Sequence, residues 1–155
     1  MKRNRRIETV FFALYICFLV KVILFKLPLL SLMDFINNWD YRNIQENLHS
    51  ANIVPLHTIR MYIKYADRLN SFDNLVGNVV IFIPFGLMFP EFWMQMKTWW
   101  KLFLFMLFCI TALELTQLLT GLGSFDVDDI LLNMIGSMMG FGVWKLIQST
   151  AHPGE

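Results

Sequence analysis

Seven side chains that accept, donate or exchange protons stand in or beside stretches that are otherwise apolar: Asn74 and Asn78, Glu114 and Gln117, then Asp126, Asp129 and Asn133. Such groups are expensive at bilayer depth unless they pair with one another or perform a task. Glu114 and Asp129 are the candidate catalytic pair, able to serve as general acid and base. The pattern leaves the cofactor open; Glu114, Asp126 and Asp129 are the candidate oxygen ligands should it be a divalent cation. Asn78, Gln117, Asp126 and Asn133 are the candidate binding residues, supplying hydrogen bonds to a polar ligand.

Spacing puts these groups on shared helical faces. Asn74 and Asn78 are i, i+4, and Glu114 and Gln117 are i, i+3. Counting from Asp126 at about 100° per residue, Asp129, Asn133, Gly136 and Gly140 fall within an arc of roughly 80°, whereas Asp128 points the other way. Gly136 and Gly140 have the small-xxx-small spacing that admits a neighbouring helix closely, and they offer a seam for a homodimer. Plainer roles stand beside these. Asp126 is placed to cap a helix with Asp129 at N3, and Asn74 to cap another. Asn78, Gln117 and Asn133 are equally suited to hold helices together. For Glu114 a functional role is favoured, since it lies one to two turns inside an apolar span, where an unpaired carboxylate is costly.

The elements that must position them are transmembrane helices. Hydrophobic residues make up 56% of the 155-residue chain. They gather in runs of about 20, the length that crosses a hydrocarbon core of roughly 30 Å. The chain reads as one all-α polytopic membrane domain over residues 1–155, with four transmembrane helices at about 7–30, 74–92, 99–120 and 129–148 and a long outer loop over 31–73. The first span is interrupted by Lys21 and Lys26, and its basic start also suits a signal peptide. No small-residue cleavage pattern follows it, so a retained helix is favoured, with Lys26 at the far interface and Lys21 turned inward.

Orientation follows from the flanking charges. Lys2, Arg3, Arg5, Arg6, Lys97, Lys101 and Lys145 lie on one side; Arg42, Arg60, Lys64 and Arg68 lie on the other, in a loop with five acidic residues. The positive-inside rule places both termini in the cytoplasm, with Trp93, Trp99 and Trp100 at the inner headgroup layer. Glu114, Gln117, Asn74, Asn78, Asp129 and Asn133 then lie within about two turns of the outer surface. Within the outer loop, Ile59, Tyr62, Ile63, Tyr65, Ala66 and Leu69 share one arc opposite Arg60, Lys64, Asp67 and Arg68. That pattern predicts an amphipathic helix over 59–69 that lies at the outer membrane interface or, equally, caps the top of the bundle, in both cases above the polar cluster. Cys17 and Cys109 both fall inside spans, which argues against a structural disulfide. His49 and His57 read as solvated loop residues. Pro84 is placed to kink the second span.

The motifs also resemble a family. Asn78-Val-Val-Ile-Phe-Ile-Pro84-Phe-Gly86, Glu114-Leu-Thr-Gln117, and Asp126-Val-Asp-Asp129-Ile-Leu-Leu-Asn133-Met-Ile-Gly136 with Gly140 are similar to those of the VanZ-like family of small bacterial membrane proteins. Asn52-Ile-Val-Pro55-Leu-His-Thr58 resembles that family's loop motif, and Leu24-Phe25-Lys26 its first-span end. The resemblance runs from about residue 10 to 145. Leu56 departs from an aromatic usual there, and Gly123 and Ser124 stand where many members carry an arginine; Lys21 or Lys26 would then supply the counter-charge. The resemblance adds Asn52 and Lys26 to the binding candidates. It implies a role in the plasma membrane and cell envelope, since the family is named for a component of glycopeptide-resistance clusters linked to teicoplanin tolerance.

Two readings stay open. In one, the chain binds or modulates an outer-leaflet membrane lipid or lipid-linked cell-wall intermediate, or the antibiotic that targets it; in the other, it is a membrane enzyme acting on such a headgroup. No His-Glu-x-x-His, Gly-x-Ser-x-Gly or phosphate-cradling glycine loop selects a reaction. No nucleic-acid partner is expected, and four spans without an internal repeat disfavour a transporter.

Overall fold

The computed structural model describes residues 5–24, 33, 36–65 and 71–151. Its elements are α1 (Arg5–Leu24), α2 (Tyr41–His49), α3 (His57–Lys64), α4 (Ser71–Phe92), a 3-10 turn (Met94–Met96), α5 (Trp99–Thr120) and α6 (Val127–Ala151). No strand occurs among the described residues; Asn52 and Asp126 form an isolated parallel bridge.

Among the described residues, three helices are long and apolar enough to cross a membrane: Asn74–Phe92, Trp99–Thr120 and Val127–Ala151. The expected spans two to four thus recur with ends shifted by a few residues. The expected first span does not meet the same measure. In α1 the charged Arg5, Arg6, Glu8 and Lys21 share 20 residues with the apolar run, and the remainder of the expected span lies outside the described residues.

The tightest packing joins α4 to α6. A Cβ at Gly136 would overlap the Val79 carbonyl oxygen, one at Gly140 the Ile83 carbonyl, and one at Gly86 the Ser137 carbonyl. Small residues at these positions let the two backbones touch, the arrangement that holds helices together where burial of apolar surface from water supplies no drive. The seam expected of Gly136 and Gly140 between two copies is therefore occupied inside one chain.

Helix α1 lies along the same bundle. Phe12 stacks on Phe92 with ring centroids 4.7 Å apart, while at the other end the Ile23 carbonyl accepts from Gln117 Nε2 at 2.6 Å. Between them, Tyr15 meets α4 in the turn that holds Pro84. Proline at this position removes the N–H that would bond the Val80 carbonyl; one residue on, the Tyr15 hydroxyl donates to the Ile81 carbonyl at 2.7 Å. A core of Leu19, Ile23, Phe82, Phe89, Met106, Ile110 and Phe141 closes between the four helices.

The long loop is more structured than a single surface helix. Asp40 caps α2, and Trp39 Nε1 donates to the Thr120 carbonyl at 2.7 Å, tying the loop to the C-terminus of α5. Helix α5 stops at Gly121, whose φ of 78° is left-handed and is adopted by glycine without steric penalty. The amphipathic helix is present as His57–Lys64, two residues earlier than expected, and positions 66–69 of the expectation lie outside the described residues.

Candidate functional site

The N-terminal turns of α4, the C-terminal turns of α5 and the N-terminal turns of α6 meet at one end of the bundle, because the connection from α5 to α6 is short and α4 packs along α6. There, a partly open cavity of about 450 Å³ is lined by Lys21 and Ile23 from α1, Tyr62 from α3, Asn74, Gly77, Asn78 and Ile81 from α4, Glu114 from α5, and Asp129 and Asn133 from α6. Four of the predicted site residues, Asn78, Glu114, Asp129 and Asn133, therefore share one cavity.

Their hydrogen bonds are specific. Asn78 Nδ2 donates to Asp129 Oδ1 at 2.6 Å. The Asp126 backbone N–H donates to Glu114 Oε2 at 3.3 Å. Glu114 is 2% exposed and Asn133 4%, and Asn133 Oδ1 has no hydrogen-bond partner among the described residues. Asn74 lies inside α4 rather than capping it, with its Nδ2 3.5 Å from the Tyr62 hydroxyl. Lys21 is exposed and brings an ammonium to a cavity whose other polar lining groups are carboxylates, carboxamides and a phenol.

Three binding candidates do other work. Gln117 is buried but absent from the cavity lining; its amide joins α5 to the end of α1 through Ile23. Asp126 adopts the plainer role, capping α6: its Oδ1 accepts from the Asp128 N–H at 2.8 Å. The same carboxylate accepts from Asn52 Nδ2 at 2.9 Å and from Thr58 Oγ1 at 2.7 Å. Asn52 is thereby spent on a clamp, reinforced by backbone bonds from its N–H to the Phe125 carbonyl at 2.8 Å and from the Val127 N–H to its own carbonyl at 3.0 Å. Lys26 lies outside the described residues. With Asp126 turned to the clamp, the three-carboxylate cation site expected of Glu114, Asp126 and Asp129 is not assembled; among the described residues no three His, Cys, Asp or Glu side chains group as metal ligands.

Asp128, set aside on the helical wheel, is the residue the sequence reading missed. It is completely buried, and its carboxylate accepts from the Leu56 N–H at 2.5 Å and the Ile59 N–H at 3.1 Å. These are unsatisfied donors at the start of α3, so Asp128 caps a helix distant in sequence. Leu56 itself sits at φ 66°, a left-handed conformation that costs a branched residue about 1–3 kcal/mol and that the Asp128 bond helps to hold. Asp126 and Asp128 together fasten the long loop over the cavity and bring Tyr62 to its wall. The signal was present in the alternation of aspartates at 126 and 128, which suits two partners on opposite sides of a helix start.

The model of the family described as VanZ/LLP1 matches residues 12–148 of this chain. The chain belongs to the VanZ/LLP1 family. It is similar to protein VanZ of Enterococcus faecium, with 28% identity over 134 residues, covering 86% of this chain and 71% of that protein. No solved structure matches it. The VanZ/LLP1 match takes in the cavity, the clamp and the α4–α6 seam, and with three apolar helices it makes this a membrane protein. Chemically, this VanZ/LLP1 cavity offers two carboxylates that can exchange protons, carboxamides that both donate and accept, and one ammonium.

Proposed function

We propose that this VanZ/LLP1 protein is a multi-pass protein of the bacterial plasma membrane whose cavity docks a lipid-linked cell-envelope intermediate in the outer leaflet. Through that contact it modulates tolerance to glycopeptide antibiotics of the teicoplanin type. The observation that carries the reading is the convergence of Asn78, Glu114, Asp129 and Asn133 on one cavity at one end of an apolar bundle. Polar groups held at that depth and facing a cavity are the usual mark of a ligand path in a membrane protein.

Two further features support it. Helix α1 meets Phe92 at one end of α4 and Gln117 near the opposite end of the bundle, and its 20 residues at a rise of 1.5 Å reach about 30 Å. On this reading it is a fourth span, its end charges at the headgroup layers. The excess of Lys and Arg around the termini and at Lys97 and Lys101 then puts both termini in the cytoplasm and the cavity outside.

The test is antibiotic susceptibility of cells producing the protein, with Glu114→Gln and Asp129→Asn as variants. Both are expected to lose the teicoplanin tolerance that the wild type confers while reaching the membrane in equal amount. Wild-type tolerance in both variants would overturn the proposal.

A further inference from the structure

We infer that the cavity is built for a hydroxyl-rich, glycosyl headgroup rather than a phosphate or an ammonium group; the inference rests on the docking reading above. The deciding group is Asn133. It is 4% exposed, lines the cavity, and its Oδ1 has no hydrogen-bond partner among the described residues. An acceptor without a protein donor on the wall of a cavity is placed to take one from a ligand.

The neighbouring groups narrow what that ligand offers. A phosphate presents acceptor oxygens and negative charge, which suits Lys21 and the amide N–H groups but gives no donor to the Asn133 oxygen. An ammonium has three donors and no acceptor; it would suit the carboxylates but give nothing to the amide N–H groups or to Lys21. Asn78 commits one N–H to Asp129, and its amide carries a second. A sugar hydroxyl donates and accepts at one atom, so neighbouring hydroxyls match a wall that carries both carboxylates and carboxamides.

Size and access agree. A cavity of about 450 Å³ falls in the range of about 300–1,000 Å³ that holds small ligands. Gly77, on the cavity wall, has open space where a Cβ would stand, and Val80 on the adjoining face of α4 is exposed. A lipid tail beside α4 thus leads to a head at Asn133.

The experiment uses the purified full chain in phosphatidylcholine nanodiscs and three lipids with one fluorescent tail, bearing a hexose, a phosphate or a primary ammonium head. The hexose lipid is expected to bind at least tenfold more tightly than the other two. Asn133→Leu should erase that preference. Gly77→Leu, which fills open space without touching a helix contact, should weaken the hexose lipid at least tenfold even if the first variant does not fold. Equal binding of the three heads, or preference for phosphate or ammonium, overturns the glycosyl assignment and leaves the docking role standing. Failure of all three to bind overturns both. Unchanged hexose affinity in folded Asn133→Leu and in Gly77→Leu overturns the placement of the sugar in this cavity.

Discussion

Asn78 Nδ2 donates to Asp129 Oδ1 over 2.6 Å, so a carboxamide on α4 and a carboxylate on α6 are joined on the wall of the cavity. The bond is charge-assisted if the carboxylate is ionised, and such bonds contribute about 1.5–3 kcal/mol. Asn78→Ala is expected to lower the thermal stability of the purified protein by an amount in that range. Asp129→Asn keeps the shape and should cost less. A double-mutant cycle on unfolding midpoints gives the coupling, and a value near zero would show that the two side chains do not depend on each other.

A second expectation concerns four glycines, which divide into two groups by what surrounds them. Gly86, Gly136 and Gly140 face the backbone of the partner helix, whereas Gly77 has nothing within 4 Å of a built Cβ. Overpacking of a close contact typically costs about 1–3 kcal/mol, and here the obstructing atoms are backbone carbonyls that have little room to move. Gly136→Ala and Gly140→Ala should therefore reduce the folded yield strongly. Gly77→Ala should leave stability unchanged or raise it by up to about 1 kcal/mol through higher helix propensity. Undiminished folded yield in Gly136→Ala and Gly140→Ala would show that the α4–α6 seam is looser than described.

What the sequence disclosed and what it withheld divide along physical lines. Long apolar runs specify spans almost without tertiary information, and α4, α5 and α6 were readable to within a few residues. Helical spacing placed Asn133, Gly136 and Gly140 on one face, and all three are buried. The charged α1 was harder, because Lys21 and the basic start lower its hydropathy while its contacts with Phe92, Ile81 and Gln117 are tertiary. The roles of Asn52, Asp126 and Asp128 were hidden for the same reason. Their partners lie 68 to 74 residues apart along the chain, a distance over which periodicity carries no information.

Asp128 yields the third prediction. Two partly buried backbone N–H groups at the start of α3 depend on its carboxylate, and a fully buried donor left without an acceptor would cost about 1–3 kcal/mol, an upper bound here. Asp128→Ala should loosen residues 52–65 without unfolding the bundle. Hydrogen exchange at the Leu56 and Ile59 amides is expected to accelerate, while amides of α5 stay protected. Asp128→Asn retains an acceptor oxygen and should show a smaller acceleration. Unaltered exchange at both amides in Asp128→Ala would mean that other groups hold α3 in place.

The last prediction is topological, and it bears on every functional statement above, because an outer-leaflet ligand requires the cavity to open outside. Ile53 is 75% exposed in the loop that covers the cavity, and Gln95 is exposed in the turn between α4 and α5. These two positions lie at opposite ends of α4. In a background with Cys17 and Cys109 replaced by alanine, Ile53→Cys should react with a membrane-impermeant maleimide on intact spheroplasts. Gln95→Cys should react only after the membrane is opened. A cysteine at Glu8, near the start of α1, should behave like Gln95, since α1 lies antiparallel to α4 with Phe12 against Phe92. Labelling of Gln95→Cys from outside, with Ile53→Cys protected, would place the cavity at the cytoplasmic leaflet and remove the proposed ligand from reach. Labelling of both Glu8→Cys and Ile53→Cys from outside would instead mean that α1 does not cross the membrane.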